Sequence, residues 1–238
     1  MNVSCALITR NEIAGLRLLY ERIPRHLLFE LFAIDAQSTD GTVEFLQENG
    51  VPVHPQMERG YGAAMLEARV HTKGDALIYF HPDGNEDPAE ISRFVERLEK
   101  GANFVVASRM VAGAWNEEDA KLLRWRKWAN QGLALMANFL FSRNGVRTTD
   151  ITNGLRAITC ETFDRMCLTA KDLTLDFQMV IRALKLGLTI EEFATREGPR
   201  VDGQTNFASL PTGLKELGLI WQELLAGDAV FRGAGEVK

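Results

Sequence analysis

Short apolar runs alternate along the first half of the chain with stretches in which apolar residues recur every three or four positions. Val3 to Ile8, Phe29 to Ile34, Val51 to His54, Ala76 to Phe80 and Asn103 to Ala107 read as buried strands. Between them the spacing predicts helices. The first carries Ile13, Leu16, Leu18 and Leu19 behind a cap at Asn11. The second starts at the cap residues Ser38 to Thr42 and stops at Gly50, and the third opens at Gly60 and stops at Gly74. The fourth sets Ile91, Phe94, Val95 and Leu98 on one face, with Asp87 as cap and Pro88 in the first turn. Such alternation predicts an α/β fold, a mainly parallel sheet with right-handed crossovers and flanking helices.

The second half changes character. Val111 to Asp119 reads as loop, and Leu122 to Phe141 as one long helix. Its start is basic (Arg124, Arg126, Lys127), and Trp125, Trp128, Leu133, Leu135, Met136, Phe139 and Leu140 make the rest broadly apolar. Burial between lobes is the favoured expectation, a helix lying at a bilayer interface the second. Leu155 to Ile158 and Leu188 to Ala194 complete the strands. Leu173 to Leu186 forms a helix with Phe177, Val180, Ile181 and Leu184 on one face. Thr212 to Leu225 closes with Leu214, Leu217, Trp221 and Leu224 at the spacing of a docking helix.

Length and charge narrow the partners. The 238 residues suit one sizeable α/β domain, and a net charge of −5 excludes a broad basic footprint for nucleic acid. Cys5, Cys160 and Cys167 lack paired metal spacing and point to a reducing compartment. Arg10 and Glu12 interrupt the first apolar run, so no secretory signal is read there. The longest uncharged stretch, Ala129 to Phe141, falls short of the ~20 residues of a spanning helix. The expectation is a cytoplasmic protein whose membrane contact, if any, is peripheral at the inner face, through amphipathic helices.

The chemistry gathers where strands end. After Ala76 to Phe80 the chain breaks into His81-Pro82-Asp83-Gly84-Asn85-Glu86-Asp87. Pro82 cannot donate to a sheet ladder, so the carboxylates are delivered at the C-terminal tip of a strand, the edge where α/β sheets bind ligands. The oxygen donors of Asp83 and Asn85 suit Mg²⁺ or Mn²⁺; a strand-to-helix turn capped by Asp87 is the plainer reading, and both can hold. Asp35 ends the second strand and is placed to accept from a base or a ribose hydroxyl, while Asp40 and Thr42 read as caps. Arg109 ends the fifth strand, on the same edge, where an arginine can clamp phosphate. The glycines of Gly60-Tyr61-Gly62-Ala63-Ala64 are not a dinucleotide fingerprint, since Met65 holds the third position; they allow a ligand or a strand to approach the backbone.

Taken in order, these pieces resemble family 2 glycosyltransferases of the GT-A fold, nearest the dolichol- or polyprenyl-phosphate mannose or glucose synthase branch, over about residues 3 to 206. Thr9-Arg10-Asn11-Glu12 is similar to that family's Thr-Tyr-Asn-Glu, and Asp35 to Thr42 to its Asp-Asp-Gly-Ser-x-Asp-Gly-Thr. Gly60 to Ala64 matches Gly-x-Gly-x-Ala, and His81 to Asn85 falls on Asp-x-Asp and the amide that follows. Ser108-Arg109-Met110, Asp150 to Arg156 and Arg200 to Asn206 resemble Gly-Ser-Arg-Tyr, Asp-x-Thr-Ser-Gly-Phe-Arg and Arg-x-x-Gly-x-Ser-Lys. His81, Ala36 and Asn206 depart from the pattern, standing for Asp, Asp and Lys.

The resemblance implies an inverting transferase that moves a sugar from a UDP- or GDP-linked donor to a polyprenyl phosphate or a glycan. It implies one catalytic domain over residues 1–238: a nucleotide-sugar-binding half at 1–110, an acceptor half at 111–206, and a C-terminal helix and tail at 207–238. Thr9, Glu12, Asp35, His81, Arg109 and Arg200 would contact the donor, Asp83 and Asn85 would hold Mn²⁺ or Mg²⁺, and Arg126 would meet an acceptor phosphate. Asp150 and Asp176 would be the acceptor-side carboxylates. The alternatives are a nucleotide-sugar-binding protein with degenerate catalysis and a nucleotidyltransferase; the latter would want a glycine-rich, lysine-bearing loop that Leu7 to Ile13 lacks.

Overall fold

The computed structural model describes residues 1–116, 119, 124–198, 200–201 and 209–231, with side chains of the last segment described from 211 onward. Seven strands form one sheet: β1 Val3–Thr9, β2 Glu30–Asp35, β3 Val53–Pro55, β4 Ala76–Phe80, β5 Phe104–Ser108, β6 Arg156–Thr159 and β7 Ile190–Ala194. The helices are α1 Ile13–Leu19, α2 Thr42–Glu48, α3 Tyr61–His71, α4 Glu90–Glu99, α5 Trp125–Phe141, α6 Cys160–Arg165, α7 Leu175–Leu186 and α8 Ser209–Ala226. The order across the sheet is β3-β2-β1-β4-β6-β5-β7.

All neighbours pair in parallel except β6, which runs antiparallel to both β4 and β5. Its register places Arg156 opposite Tyr79 and Val106, so the start of β6 arrives where β4 and β5 end. One reversed strand thereby brings residues 150–156 to the same edge as the tips of β1, β2, β4 and β5. Side chains alternate across the sheet as the pleat requires. Leu77 and Tyr79 of β4 enter a core shared with α3, α5, α6, α7 and α8, whereas Ala76, Ile78 and Phe80 enter one shared with α1, α2 and α4.

Three local expectations are corrected. Asn11 does not cap α1: it takes a left-handed backbone (φ 58°), and its side chain accepts from Thr39 N–H at 2.8 Å. Asp40 from the neighbouring loop does the capping, accepting from Ile13 N–H and Thr42 N–H at 3.0 Å each. Leu18 is exposed instead of packed. The long helix is not buried between lobes. α5 packs through Asn130, Ala134, Ala137 and Phe141, and turns Trp125, Trp128, Leu135 and Phe139 outward, Phe139 at 88% exposure. Residues 122 and 123, where the helix was expected to begin, lie outside the described residues.

α8 docks by a different stripe from the one expected. Glu216, Leu219, Ile220 and Glu223 are buried, at the i, i+3, i+4, i+7 spacing of one helix face, while Leu214, Leu217 and Trp221 are exposed. The anchor is ionic: Glu223 accepts from Lys185 Nζ at 2.7 Å, Arg182 Nε at 3.0 Å and Gln178 Nε2 at 3.2 Å. At the start of α3 a Cβ on Gly62 would lie 2.7 Å from the carbonyl oxygens of Ala170 and Asp172, so the small residues there admit a chain segment.

Candidate active site

The tips of β1 and β2 are tied together first. Thr9 Oγ1 donates to Asp35 Oδ2 at 2.9 Å, and Asp35 Oδ1 accepts from Ser38 N–H at 2.8 Å. Asp35 is buried, and the Ser38 hydroxyl donates to it as well. Its carboxylate therefore organises the loop after β2; Asp40 serves as the cap its type predicts, accepting from the N–H and hydroxyl of Thr42, whereas Thr42 is the first residue of α2 and not its cap.

β4 ends in a tight cluster of charge. The backbone N–H of Asn85 donates to Asp83 Oδ1 at 3.1 Å, and the Asn85 carboxamide, its nitrogen turned to Asp83, donates to Oδ2 at 2.9 Å. Arg200 Nη2 stands 2.9 Å from the same Oδ2. The segment carrying Arg200 lies across the turn, held by Val201 N–H to Asp83 O at 3.0 Å and Gly198 N–H to Asn85 O at 3.1 Å. Burial raises the Asp83 carboxyl above its ordinary value, with repulsion from Glu86 added. Burial, and then Asp83 itself, lift Glu12 to about 7.

His81 stands where an aspartate is usual in the resembling pattern. Its Nδ1 lies 2.9 Å from Glu86 Oε1, and its backbone N–H donates to Glu86 Oε2 at 2.7 Å. Burial disfavours charge on the ring, but Glu86 outweighs it and lifts the imidazole to about 9. A protonated imidazole is a hydrogen-bond donor and not a metal ligand. The charge that the aspartate would carry is here displaced five residues along the chain, onto Glu86.

Arg109 and Asp150 join β5 to the segment before β6. Arg109 donates to Asp150 Oδ2 through its backbone N–H (3.0 Å) and Nε (2.8 Å), and to Oδ1 through Nη2 (2.9 Å). Asn130 Nδ2 of α5 adds a bond to Oδ1 at 2.9 Å. Asp150 is 0% exposed. Burial alone would raise its carboxyl, yet Arg109 holds it well below the usual carboxylate range. Both oxygens of Asp150, expected as an acceptor-side carboxylate, are engaged by Arg109 and Asn130. Arg109 is also enclosed, with Nη1 3.1 Å from Glu197 Oε2 and Nη2 3.0 Å from Thr152 Oγ1.

Asp176, at the start of α7, is buried; Arg156 Nε stands 3.3 Å from its Oδ1, and Arg156 Nη1 donates to its backbone carbonyl at 2.9 Å. Burial raises its carboxyl. Arg126 is exposed on α5, 5.8 Å from the Trp125 ring centroid. Asn206, with the other residues of 202–208, lies outside the described residues. Glu86, Glu197, Tyr61 and Arg156 had no role assigned from the sequence, although Glu86, Tyr61 and Arg156 stand inside stretches read there as part of the site.

The model of the family described as Glycosyl transferase family 2 matches residues 4–165. The chain belongs to this family. The matched span runs from β1 into α6, so it includes the tips of β1, β2, β4 and β5, and leaves α7, β7 and α8 beyond it. Glycosyltransferase AglJ of Haloferax volcanii is 27% identical over 196 residues, 82% of this chain but 61% of its own length. Polyprenol monophosphomannose synthase of Mycolicibacterium smegmatis is 27% identical over 201 residues, 77% of this chain and 72% of its own. Among solved structures, glucosyl-3-phosphoglycerate synthase of Mycobacterium tuberculosis, in complex with Mn²⁺, UDP and glucosyl-3-phosphoglycerate, has a TM-score of 0.66 at 18% identity, covering 97% of this chain and 80% of that one. The likeness shows the GT-A fold of this family 2 chain, an α/β architecture with a mostly parallel sheet.

A divalent cation is the group this fold family implies. Among the described residues no three His, Cys, Asp or Glu side chains form a metal cage. Asp83 nonetheless fits one: its carboxylate already carries a cation, the Arg200 guanidinium, and a carboxamide stands beside it. One carboxylate, with the Asn85 amide rotated to present its oxygen, suffices for a hard ion that takes its other ligands from diphosphate and water.

Proposed function

We propose that this family 2 glycosyltransferase moves a sugar from a UDP- or GDP-linked donor, with inversion, to an acceptor that is a polyprenyl phosphate. The observation that carries the reading is the buried Asp83 carboxylate at the tip of the central strand, paired with the Arg200 guanidinium and accepting from Asn85 N–H. In the reaction the acceptor oxygen forms a bond to the anomeric carbon as the bond to the diphosphate oxygen breaks. The electron pair leaves with the nucleoside diphosphate. Asp83 and Asn85 would hold Mn²⁺ or Mg²⁺, which when bound supplies positive charge to that leaving group. Thr9, Glu12, Asp35 and His81 are the donor-side residues of this reading, and Arg200, standing on Asp83, is the guanidinium nearest to a diphosphate there. Arg109 is enclosed by Asp150 and Glu197, so we read Asp150 as its positioning residue and not as a base. A phosphate acceptor is already an anion and requires none.

The outward face of α5 and α8 supports the lipid acceptor. Trp125, Leu133, Met136, Leu214 and Leu217 line a groove of about 350 Å³ between the two helices, and Arg124, Arg126 and Lys127 sit at one end of α5, Arg124 and Lys127 sharing the single carboxylate of Asp119. Apolar length beside fixed positive charge suits a polyprenyl chain and its phosphate. Among the described residues no helix is long and apolar enough to cross a membrane. Polyprenol monophosphomannose synthase is a relative whose name carries such an acceptor. The test is sugar transfer from UDP-glucose or GDP-mannose to a polyprenyl phosphate or to an oligosaccharide. The expected result is a lipid-linked product, with a rate that falls at least about tenfold when Trp125→Glu and Leu217→Glu are combined. Transfer to the oligosaccharide alone, or a rate indifferent to both substitutions, would overturn the lipid acceptor. Binding without any transfer would favour the nucleotide-sugar-binding alternative.

A further inference from the structure

Among the described residues two buried side-chain polar atoms have no hydrogen bond, His81 Nε2 and Asp176 Oδ1. Both belong to one cluster. Tyr61 stacks on His81, with ring centroids 5.4 Å apart and planes at 25°, and its hydroxyl lies beside Asp176. Gly154 permits this approach: a Cβ there would stand 2.4 Å from Tyr61 Oη and 2.7 Å from His81 Cε1. Buried polar atoms are normally satisfied, and an unsatisfied one carries a desolvation penalty that a ligand can relieve.

A third group reaches the cluster from α8. Glu216 is 6% exposed, and it makes no hydrogen bond or ion pair among the described residues. The charged group that bears on it is Asp176. Glu223, two turns further along the same face, shows what an anchoring glutamate looks like: Arg182, Lys185 and Gln178 saturate it. Lys215 on Asp172 (2.7 Å) and Glu223 on Arg182 and Lys185 set α7 and α8 side by side with the same chain direction, which brings Glu216 to the start of α7, where Asp176 lies. Glu216 has no comparable cation. Two carboxylates exclude a phosphate from this place, and the charges of Arg156 and His81 are already present to balance Asp176. A neutral group that donates to a carboxylate and can donate to or accept from an imidazole nitrogen satisfies the orphaned atoms, and a hydroxyl does so in either protonation state of the ring.

We propose that Asp176 and Glu216 bind hydroxyl groups of a sugar, and that Glu216, carried in on α8 beyond the family match, is a specificity-determining residue. This rests on the glycosyl-transfer reading above. The hydroxyls belong to the donor sugar or to a sugar acceptor, and the experiment separates the two. Affinities of the full chain for UDP and GDP, and for UDP-glucose and GDP-mannose, are measured by titration calorimetry with Mn²⁺, for the unaltered chain and for Glu216→Gln and Glu216→Ala. The expected result is unchanged affinity for the nucleoside diphosphate and about tenfold weaker binding of the intact nucleotide sugar in Glu216→Ala, with Glu216→Gln retaining part of it. Unchanged donor affinity with a tenfold higher KM for an oligosaccharide acceptor would assign the same hydroxyl site to the acceptor. Glu216→Gln, which keeps the side-chain volume, guards against loss of folding, and its melting temperature is expected to match the unaltered chain. Equal effects on nucleoside diphosphate and nucleotide sugar, or no effect on donor or acceptor, would overturn the inference while leaving glycosyl transfer standing. Failure of the unaltered chain to bind any of the four would remove both.

Discussion

Asp83→Ala is expected to lower turnover by at least ~100-fold and to abolish its dependence on Mn²⁺ or Mg²⁺. Cation stabilisation of a leaving group is worth several kcal/mol, and each ~1.4 kcal/mol is a factor of ten in rate. The fold should survive. Asp83 bonds within its own turn and to Arg200, whose side chain is 28% exposed and can turn to water when its partner is removed. The cost of losing such a partly exposed pair is about 1 kcal/mol at most. Steady-state rates with Mn²⁺, Mg²⁺ and EDTA, beside a thermal melt, check both halves. Wild-type turnover in Asp83→Ala would remove the metal assignment.

The opposite balance holds at Asp150. Its replacement by alanine is expected to destabilise the protein by roughly 3–5 kcal/mol, because the Arg109 guanidinium and the Asn130 amide lose a fully buried partner. Glu197 cannot replace it: it already takes Arg109 Nη1 at 3.1 Å, from the other side. Against a typical total of about 5–15 kcal/mol this is a large fraction. The pH dependence follows from the depressed carboxyl. Unfolded, an aspartate titrates near ~4; folded, Asp150 stays ionised far below that, so its contribution is fully present above about pH 4 and is lost as pH falls below it. Urea denaturation of the two proteins between pH 7 and pH 3 reads both effects. The expected result is a gap at pH 7 that narrows on acidification. A gap below about 1 kcal/mol at pH 7 would show that Arg109 finds other partners.

The strands and most helices were legible because their apolar spacing is local. Ala76 to Phe80 reads as a strand from five residues, and Ile91, Phe94, Val95 and Leu98 read as one helix face. The alternation also delivered Asp35, Asp83 and Arg109 to one edge, since parallel strands all end there. What periodicity does not carry is which face finds a neighbour. α8 holds two stripes, and the larger, with Leu214, Leu217 and Trp221, was expected to dock. The stripe that docks includes Glu216 and Glu223, because α7 offers Arg182 and Lys185 to the latter. Polar residues hid the packed face from a hydrophobicity reading. In α5 the small Ala134 and Ala137 take the contact and leave the tryptophans outside.

The site was legible as types and positions, less so as pairings. Asp150 and Arg109 were each identified, but their mutual bond depends on β6 running backwards between β4 and β5, which no local pattern announces. The pairing of His81 with Glu86 was within reach of the sequence, since the two stand five residues apart in one turn. Glu216 gave no signal at all, being one acid on a helix read for its leucines.

The most direct measurement of the central claim is the melting temperature of the purified protein with UDP, GDP, CDP or TDP, each with Mn²⁺, Mg²⁺ or EDTA. A ligand bound only by the native state raises that temperature, by about 2.7 kcal/mol of added stability at a hundred times its Kd. The expected result is a rise with UDP or GDP that depends on the cation and disappears in Asp83→Ala. A melting temperature indifferent to every nucleotide and cation would contradict it.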